Sequence, residues 1–359
     1  MRALVAMSGG VDSSVAAALM IERGYDVVGV TLKQWEGADG QMPVAGCCTL
    51  SDAEDARRVA AVLDIPYYVL DYVEEFTKAV VDPFGEGYLA GLTPNPCIEC
   101  NRNVRFNALL DRVQELDCDV LVTGHHARVE NVDGGYRLRK GADPGKDQSY
   151  VLHMLDQAAL SRVVLPVGEL MKSDVRAVAA DLGFRNAKKP DSQDICFVTS
   201  GDYRDFLRAR LPEAVAPGDI VDVEGNVVGA HRGTAGFTIG QRRGLGVSAG
   251  EPRFVVDIEP AEQRITIGRF EDLLTDGFDA VDMRFTNEPV ESGTTVDVKV
   301  RYRSEPVAAT VERTDDGWSF RFAERQPRPA PGQAVVMYDG EYVLGGGTIV
   351  VRQPQGVAS

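Results

Sequence analysis

A chain of 359 residues with 44% hydrophobic and 26% charged residues is too long for one ordinary core, so two or three globular domains are expected. A formal net charge of −16 argues against general affinity for nucleic acid, and no apolar run reaches the length that crosses a membrane. Six cysteines, Cys47, Cys48, Cys97, Cys100, Cys118 and Cys196, are too few for a disulfide scaffold, which leaves some of them for chemistry. The N-terminus enters a strand without a charged and apolar leader, so a cytoplasmic protein away from membranes is expected. The acidic balance is interrupted locally: Arg232, Arg242 and Arg243 face Glu251 alone between Val228 and Pro252, and Lys299, Arg301 and Arg303 share one strand-like run. Such patches can still bind RNA.

In chain order, Ala3-Leu4-Val5-Ala6 predicts a strand buried on both faces, and Val11, Val15, Ala18 and Leu19 recur at helical spacing. Between them lies Met7-Ser8-Gly9-Gly10-Val11-Asp12-Ser13-Ser14. Two glycines free the backbone to turn successive N–H groups toward one anion, and the following helix adds the positive end of its dipole. The spelling fits neither GxxxxGK[ST] nor GxGxxG. Ser-Gly-Gly-Val-Asp-Ser resembles the pyrophosphatase loop of enzymes that split ATP between its α and β phosphates. The bland reading is a Gly-Gly turn with Ser and Asp as helix caps.

Tyr25 to Leu32 predicts a second strand, and Trp35 to Ala45 a polar, Gly-rich excursion. Ser51-Asp52-Ala53-Glu54 reads as a capping box that restarts a helix. Ile65 to Leu70 is a third strand, Val73 to Tyr88 and Asn101 to Leu116 are helices, and Asp119 to Thr123 is a fourth strand. Strands alternating with helices imply an α/β doubly wound parallel sheet with ligand at the strands' carboxyl ends. Ser173 to Leu182 is a further helix, capped by Ser173. From about Ala214 short alternating runs predict a small central β domain. Longer strands from about Ala280, closed by an Asp339-Gly340 hairpin, predict a C-terminal β-barrel with a short disordered tail. The expected domains are residues 1–210, 211–277 and 278–359.

Two proline-bearing loops, Gly91 to Cys100 and Lys189 to Cys196, each deliver a cysteine. Cys97 and Cys100 form a CxxC that lacks the second pair of ligands a structural zinc site needs. A third cysteine on a second loop of the same nucleotide domain points to sulfur chemistry. Cys118 is the cysteine most readily explained as buried filler, and His125 and His126 follow a strand's end beside the presumed nucleotide. Gly145-Lys146 imitates an ordinary P-loop, but the spacing fails.

Several motifs in order resemble the tRNA-specific 2-thiouridylases over nearly the whole chain. They are Ser8 to Ser13, Thr93-Pro94-Asn95-Pro96 with Cys100-Asn101, Thr123-Gly124-His125, Lys146 to Tyr150, Asp191-Ser192 with Ile195-Cys196-Phe197, Thr238 to Gly246, Arg301-Tyr302-Arg303 and Pro331-Gly332-Gln333. The resemblance implies ATP held by Ala6, Met7, Ser8, Gly9, Gly10, Val11, Asp12, Ser13 and Gly124, with Leu32 near the adenine and Mg²⁺ on the phosphates. It implies a target base facing Asn95, Pro96 and Cys97. His125, Lys146, Asp147, Gln148, Arg301, Tyr302 and Gln333 would contact tRNA. Cys196 would carry a persulfide supplied by a donor such as a cysteine desulfurase or a sulfur relay protein, with Cys100 as its partner. Many members carry Asp where this chain has Cys97. Three cysteines, Cys97, Cys100 and Cys196, also match how related sulfur-transferases hold a 4Fe–4S cluster with one iron open. The rival readings are another adenylating pyrophosphatase-loop enzyme, such as a lysidine or amide-forming synthetase, and a non-catalytic RNA-binding protein.

Overall fold

The computed structural model describes residues 1–36, 49–191, 195–198, 202–212, 216–247 and 250–351. Cys47 and Cys48, most of the Gly-rich excursion and the expected C-terminal tail lie outside the described residues.

Strands β1 (Arg2–Ala6), β2 (Asp26–Lys33), β3 (Tyr67–Asp71), β4 (Val120–Val122) and the short β7 (Val163–Val164) form one parallel sheet in the order β3-β2-β1-β4-β7. Alternate side chains of β1 explain its continuous apolar run: Leu4 packs into one core and Ala3 and Val5 into another, so both faces are covered. The helix α1 (Val11–Glu22) lies against the second core and α2 (Leu50–Val62) beside it. The doubly wound α/β expectation is met.

Two helix starts differ from expectation. The α2 box is closed by Thr49, whose hydroxyl accepts from the Asp52 N–H at 3.1 Å while the Asp52 carboxylate accepts from the Thr49 N–H at 2.7 Å. Thr-x-x-Asp does the work assigned to Ser51, because a capping box needs its acceptor at the third helical residue. The later helix begins at Lys172, inside which Ser173 is already helical; its N–H at Lys172 is taken by the Asp143 carboxylate from another segment.

Strands β5 (Ala127–Val132) and β6 (Gly135–Lys140) form a hairpin that the periodicity reading omits. Its turn, Asp133-Gly134, has both residues at positive φ, the pair a two-residue hairpin favours. This hairpin leaves the parallel sheet and extends the barrel. Strands β12 (Leu274–Phe285), β13 (Thr295–Lys299), β14 (Val307–Thr314), β15 (Gly317–Pro327), β16 (Ala334–Asp339) and β17 (Tyr342–Val350) close on themselves through β12–β17 pairing, and β6 pairs with β17 at Arg139 and Tyr342. The Arg139 guanidinium bonds Glu341 at 2.8 Å through Nε and Glu130 at 2.6 Å. The barrel core stacks Phe278 on Phe320, with ring centroids 4.8 Å apart. Between sheet and barrel, β8 (Gly218–Val221), β9 (Val227–His231), β10 (Phe254–Glu259) and β11 (Arg264–Gly268) form a small sheet around Ile220, Val255, Ile265 and Ile267. No described helix is long and apolar enough to cross a membrane.

Candidate functional site

At the carboxyl end of β1 the chain turns through Gly9, whose φ is +73°, into α1. A Cβ at Gly9 would run into the Asp52 carbonyl of α2, and one at Gly124 would lie 2.6 Å from the Ser13 nitrogen, so glycine is what lets three segments meet here. Gly10, the residue before α1, supplies no side-chain cap; the Ser13 and Ser14 hydroxyls instead donate to its carbonyl at 3.1 and 2.9 Å. The result is a helix N-terminus open toward a cavity, the arrangement that binds phosphate.

That cavity has a volume of about 1270 Å³. Ala6, Met7, Ser8, Gly10, Val11, Asp12, Ser13, Leu32 and Gly124 line it, as do Asn95, Pro96 and Cys97, and the two cysteines Cys100 and Cys196. The Asn95 side chain accepts from the Cys97 N–H at 3.1 Å, so Asn95 caps the turn that presents Cys97. Helical structure then widens into π-turns from Cys100 to Ala108, a form that often accompanies functional residues. Cys100 is buried, with the Gln34 amide donating to its sulfur at 3.3 Å. Cys97 is exposed, and Cys118 is buried outside the cavity lining. Half-buried Cys196 is anchored by its neighbour Phe197, which sits among Phe76, Phe84 and Phe206 at 5.2 to 5.9 Å between ring centroids.

Among the described residues no group of three His, Cys, Asp or Glu is arranged to hold a metal ion, and Cys97, Cys100 and Cys196 are all described.

Of the seven residues assigned to tRNA, His125, Lys146, Asp147, Gln148 and Tyr302 line the cavity. His125 is buried, bonded through Nδ1 to the Thr123 hydroxyl at 2.7 Å, and burial pushes its imidazole down to about 3, so it is neutral near pH 7. Asp147 accepts from the N–H groups of Gly141 and Ser149, and Gln148 from the His126 N–H. The Tyr302 hydroxyl donates to the Asp147 carbonyl at 3.0 Å, joining the barrel to the sheet domain. Arg301 and Gln333 lie outside the described lining and act as struts: Arg301 donates to the Ile239 carbonyl at 3.3 Å and Gln333 to the Thr93 carbonyl at 2.6 Å. The Thr93 N–H also donates to Pro331, so the barrel's Pro331-Gly332-Gln333 turn props the loop that carries Asn95 and Cys97. Gly332 has φ +85° and a Cβ there would lie 2.9 Å from Leu92 and Thr93. Gly332→Ala should therefore lower stability by about 2 kcal/mol, against about 1 kcal/mol or less for Gly293→Ala, where φ is +90° but nothing lies within 4 Å. Thermal unfolding of both variants checks this, and equal losses would remove the strut.

Beside the loop the motif residues Asp12, Lys146 and Asp191 are joined by Lys172 and Arg176, which no motif signalled. Lys172 Nζ donates to both Asp12 oxygens at 2.7 and 2.6 Å and forms an ion pair with Asp191 at 2.9 Å. His126 Nε2 lies 3.0 Å from Asp12, and Lys146 and Arg176 reach Asp191 at 2.7 and 3.1 Å. Burial works to raise both carboxyls, yet these partners hold Asp12 below the usual carboxylate range and Asp191 down at about 2. Lys189 bridges Asp52 and Asp55 of α2 at 2.6 and 2.7 Å, at the root of the loop leading to Cys196.

Three family models match in order: the tRNA methyl transferase HUP domain over residues 1–200, the tRNA methyl transferase PRC-barrel domain over 204–269, and the aminomethyltransferase beta-barrel domain over 275–349. The chain is 48% identical over 350 residues to the tRNA-specific 2-thiouridylase MnmA of Chloroflexus aurantiacus, covering 96% of this chain and 97% of that one. It is 47% identical over 362 residues to the protein of the same name from Heliobacterium modesticaldum, covering 97% and 92%. Among solved structures, a 4-thiouridine synthetase in complex with RNA and bound ATP is similar at 16% identity and a TM-score of 0.35, over 59% of this chain and 50% of that one. Full-length identity at this level, with all three domain models in order, places the chain in the tRNA-specific 2-thiouridylase family.

Proposed function

We propose that the protein replaces the 2-oxygen of the wobble uridine of tRNA with sulfur, consuming ATP and releasing AMP and pyrophosphate. The observation that carries this reading is that one cavity is lined by the anion-binding loop, by the Asn95-Pro96-Cys97 turn and by Cys100 and Cys196. The units of residues 1–210, 211–277 and 278–359 would divide catalysis, connection and tRNA grip between them.

A uracil carbonyl carbon is a poor electrophile with oxide as its leaving group. Attack of the uracil O2 on the α-phosphorus forms a P–O bond and expels pyrophosphate, leaving C2 bonded to an AMP leaving group. N–H groups at Ser8 to Ser13 and the start of α1 take up charge on the departing pyrophosphate. Mg²⁺ bound with the nucleotide would supply further charge neutralisation, and the Asp12 carboxylate, which Lys172 holds in this structure, would be an oxygen donor for it beside the loop. The terminal sulfur of a persulfide on Cys196 then bonds C2 and AMP leaves. Attack by the Cys100 thiolate on the Cys196 sulfur frees 2-thiouridine and forms a disulfide between the two cysteines, which an external dithiol reduces. Neutral His125, Lys146, Asp147, Gln148 and Tyr302 line the way in, with Arg301 and Gln333 holding the barrel in place. The target base must be unstacked to enter.

The test is to incubate the protein with unmodified tRNA, ATP, Mg²⁺ and a persulfide donor, then digest the tRNA. Expected are 2-thiouridine at the wobble position and AMP in equal amount. Pyrophosphate released without thiolation would favour an amine-using synthetase, and no tRNA-dependent pyrophosphate at all would favour a binding protein.

A further inference from the structure

We propose that Cys97 is a third catalytic thiol, which takes over the disulfide left between Cys100 and Cys196 and carries it to the surface for reduction. The proposal rests on the sulfur-transfer reading above, which ends each turnover with that disulfide and gives Cys97 no part in the sulfur chemistry. In the structure the three thiols form a gradient of access within one cavity: Cys100 is buried at 5% exposed, Cys196 is half-buried and Cys97 is exposed. Thiol–disulfide exchange requires attack on a sulfur, so an external dithiol reaches a bond between a buried and a half-buried sulfur slowly.

Cys97 is placed to make that attack from within. Residues 96–99 are helical, and the Cys100 N–H donates to the Cys97 and Pro96 carbonyls. Helix dimensions set the Cα atoms of residues three apart about 5 Å from each other, inside the window of about 4.4–6.8 Å that a disulfide spans. The Asn95 side chain caps the turn and holds Cys97 in it. Packing is a poor explanation for the residue, because an exposed thiol adds little to a core and is open to oxidation. Cys118, buried outside the cavity lining, shows where this chain keeps a cysteine as filler.

The exchange conserves electrons. Once the thiolated base has left, the Cys97 thiol gives its proton to water and the thiolate attacks the Cys100 sulfur. A Cys97–Cys100 bond forms, the Cys100–Cys196 bond breaks, and Cys196 leaves as a thiolate ready for the next sulfur. An external dithiol then attacks Cys97, the accessible sulfur, and Cys100 leaves as a thiolate beside the Gln34 amide that donates to it at 3.3 Å. The second thiol of the reductant displaces Cys97, and the reductant ends as a disulfide.

The experiment loads the full chain with persulfide, removes the donor and supplies unmodified tRNA, ATP and Mg²⁺ for one turnover without reductant. Thiols are then alkylated and disulfides mapped by peptide mass spectrometry. Expected is a bond between Cys97 and Cys100, with Cys196 alkylated. Cys97→Ser is oxidised with diamide, so that contact with the base plays no part, beside the unsubstituted protein treated alike. In the variant the bond is expected between Cys100 and Cys196, and its reduction by dithiothreitol is expected to slow by about tenfold or more, the scale of losing the accessible sulfur. A disulfide that still includes Cys196 in the unsubstituted protein after its turnover, or equal reduction rates in the two proteins, overturns the proposal. Unsubstituted protein that forms neither 2-thiouridine nor a disulfide at Cys100 instead defeats the sulfur-transfer reading, and the proposal falls with it.

Discussion

Cys196→Ser is expected to abolish sulfur transfer to tRNA, by roughly three orders of magnitude or more, the scale of removing a covalent nucleophile. A serine hydroxyl cannot carry a persulfide, whereas the loop should hold its place because Phe197, 1% exposed among its aromatic neighbours, anchors the segment. Pyrophosphate release that depends on tRNA should therefore persist in the variant, since that step uses the loop at Ser8 to Ser13 and the base, and no thiol. Cys100→Ser should behave differently: sulfur reaches C2 but the product stays joined to Cys196, so a protein–tRNA adduct sensitive to dithiothreitol accumulates. Gel analysis of labelled tRNA with and without reductant separates the two. Full thiolation by Cys196→Ser would remove the sulfur role from this residue.

Gly9→Ala is expected to weaken ATP by roughly 100-fold, the usual cost of displacing a binding group by about an ångström. A residue with a Cβ pays about 1–2 kcal/mol for the left-handed conformation, and here the added carbon also presses on the backbone of Asp52. Backbone cannot swing aside as a side chain can, so the loop and the first turn of α2 must separate. Gly10→Ala provides the contrast. Its φ of −79° suits any residue, and the nearest atom to a Cβ is the Ser8 hydroxyl at 3.5 Å, so affinity should stay within about threefold. Titration of ATP into both variants checks the pair, and equal behaviour would show that the turn at Gly9 is not what shapes the cradle.

Much was legible in the chain because it is local. Apolar runs at Ala3 to Ala6 and Tyr25 to Leu32, helical spacing after Gly10 and alternation after Ala214 each specify an element within a few residues, and the order of elements specifies a parallel sheet followed by β structure. Asp133-Gly134 carried an equally local hairpin signal, but nothing nearby says that the hairpin leaves its own sheet to pair with β17, some 200 residues later. The caps show the same divide: Thr49 and Asp52 are three residues apart, whereas Asp143 caps a helix begun at Lys172.

The motif residues themselves determined which chemistry to look for, since two glycines before a helix, a Pro-Asn-Pro turn and cysteines on two loops are properties of residue type and spacing. Folding decided who meets whom. Arg301 and Gln333 became struts because the barrel docks on Ile239 and Thr93, and Lys172 joined the loop because its helix packs beside α1, bringing its ammonium onto an aspartate 160 residues away. Charges find partners through space at 3 Å, and no periodicity along the chain encodes that distance.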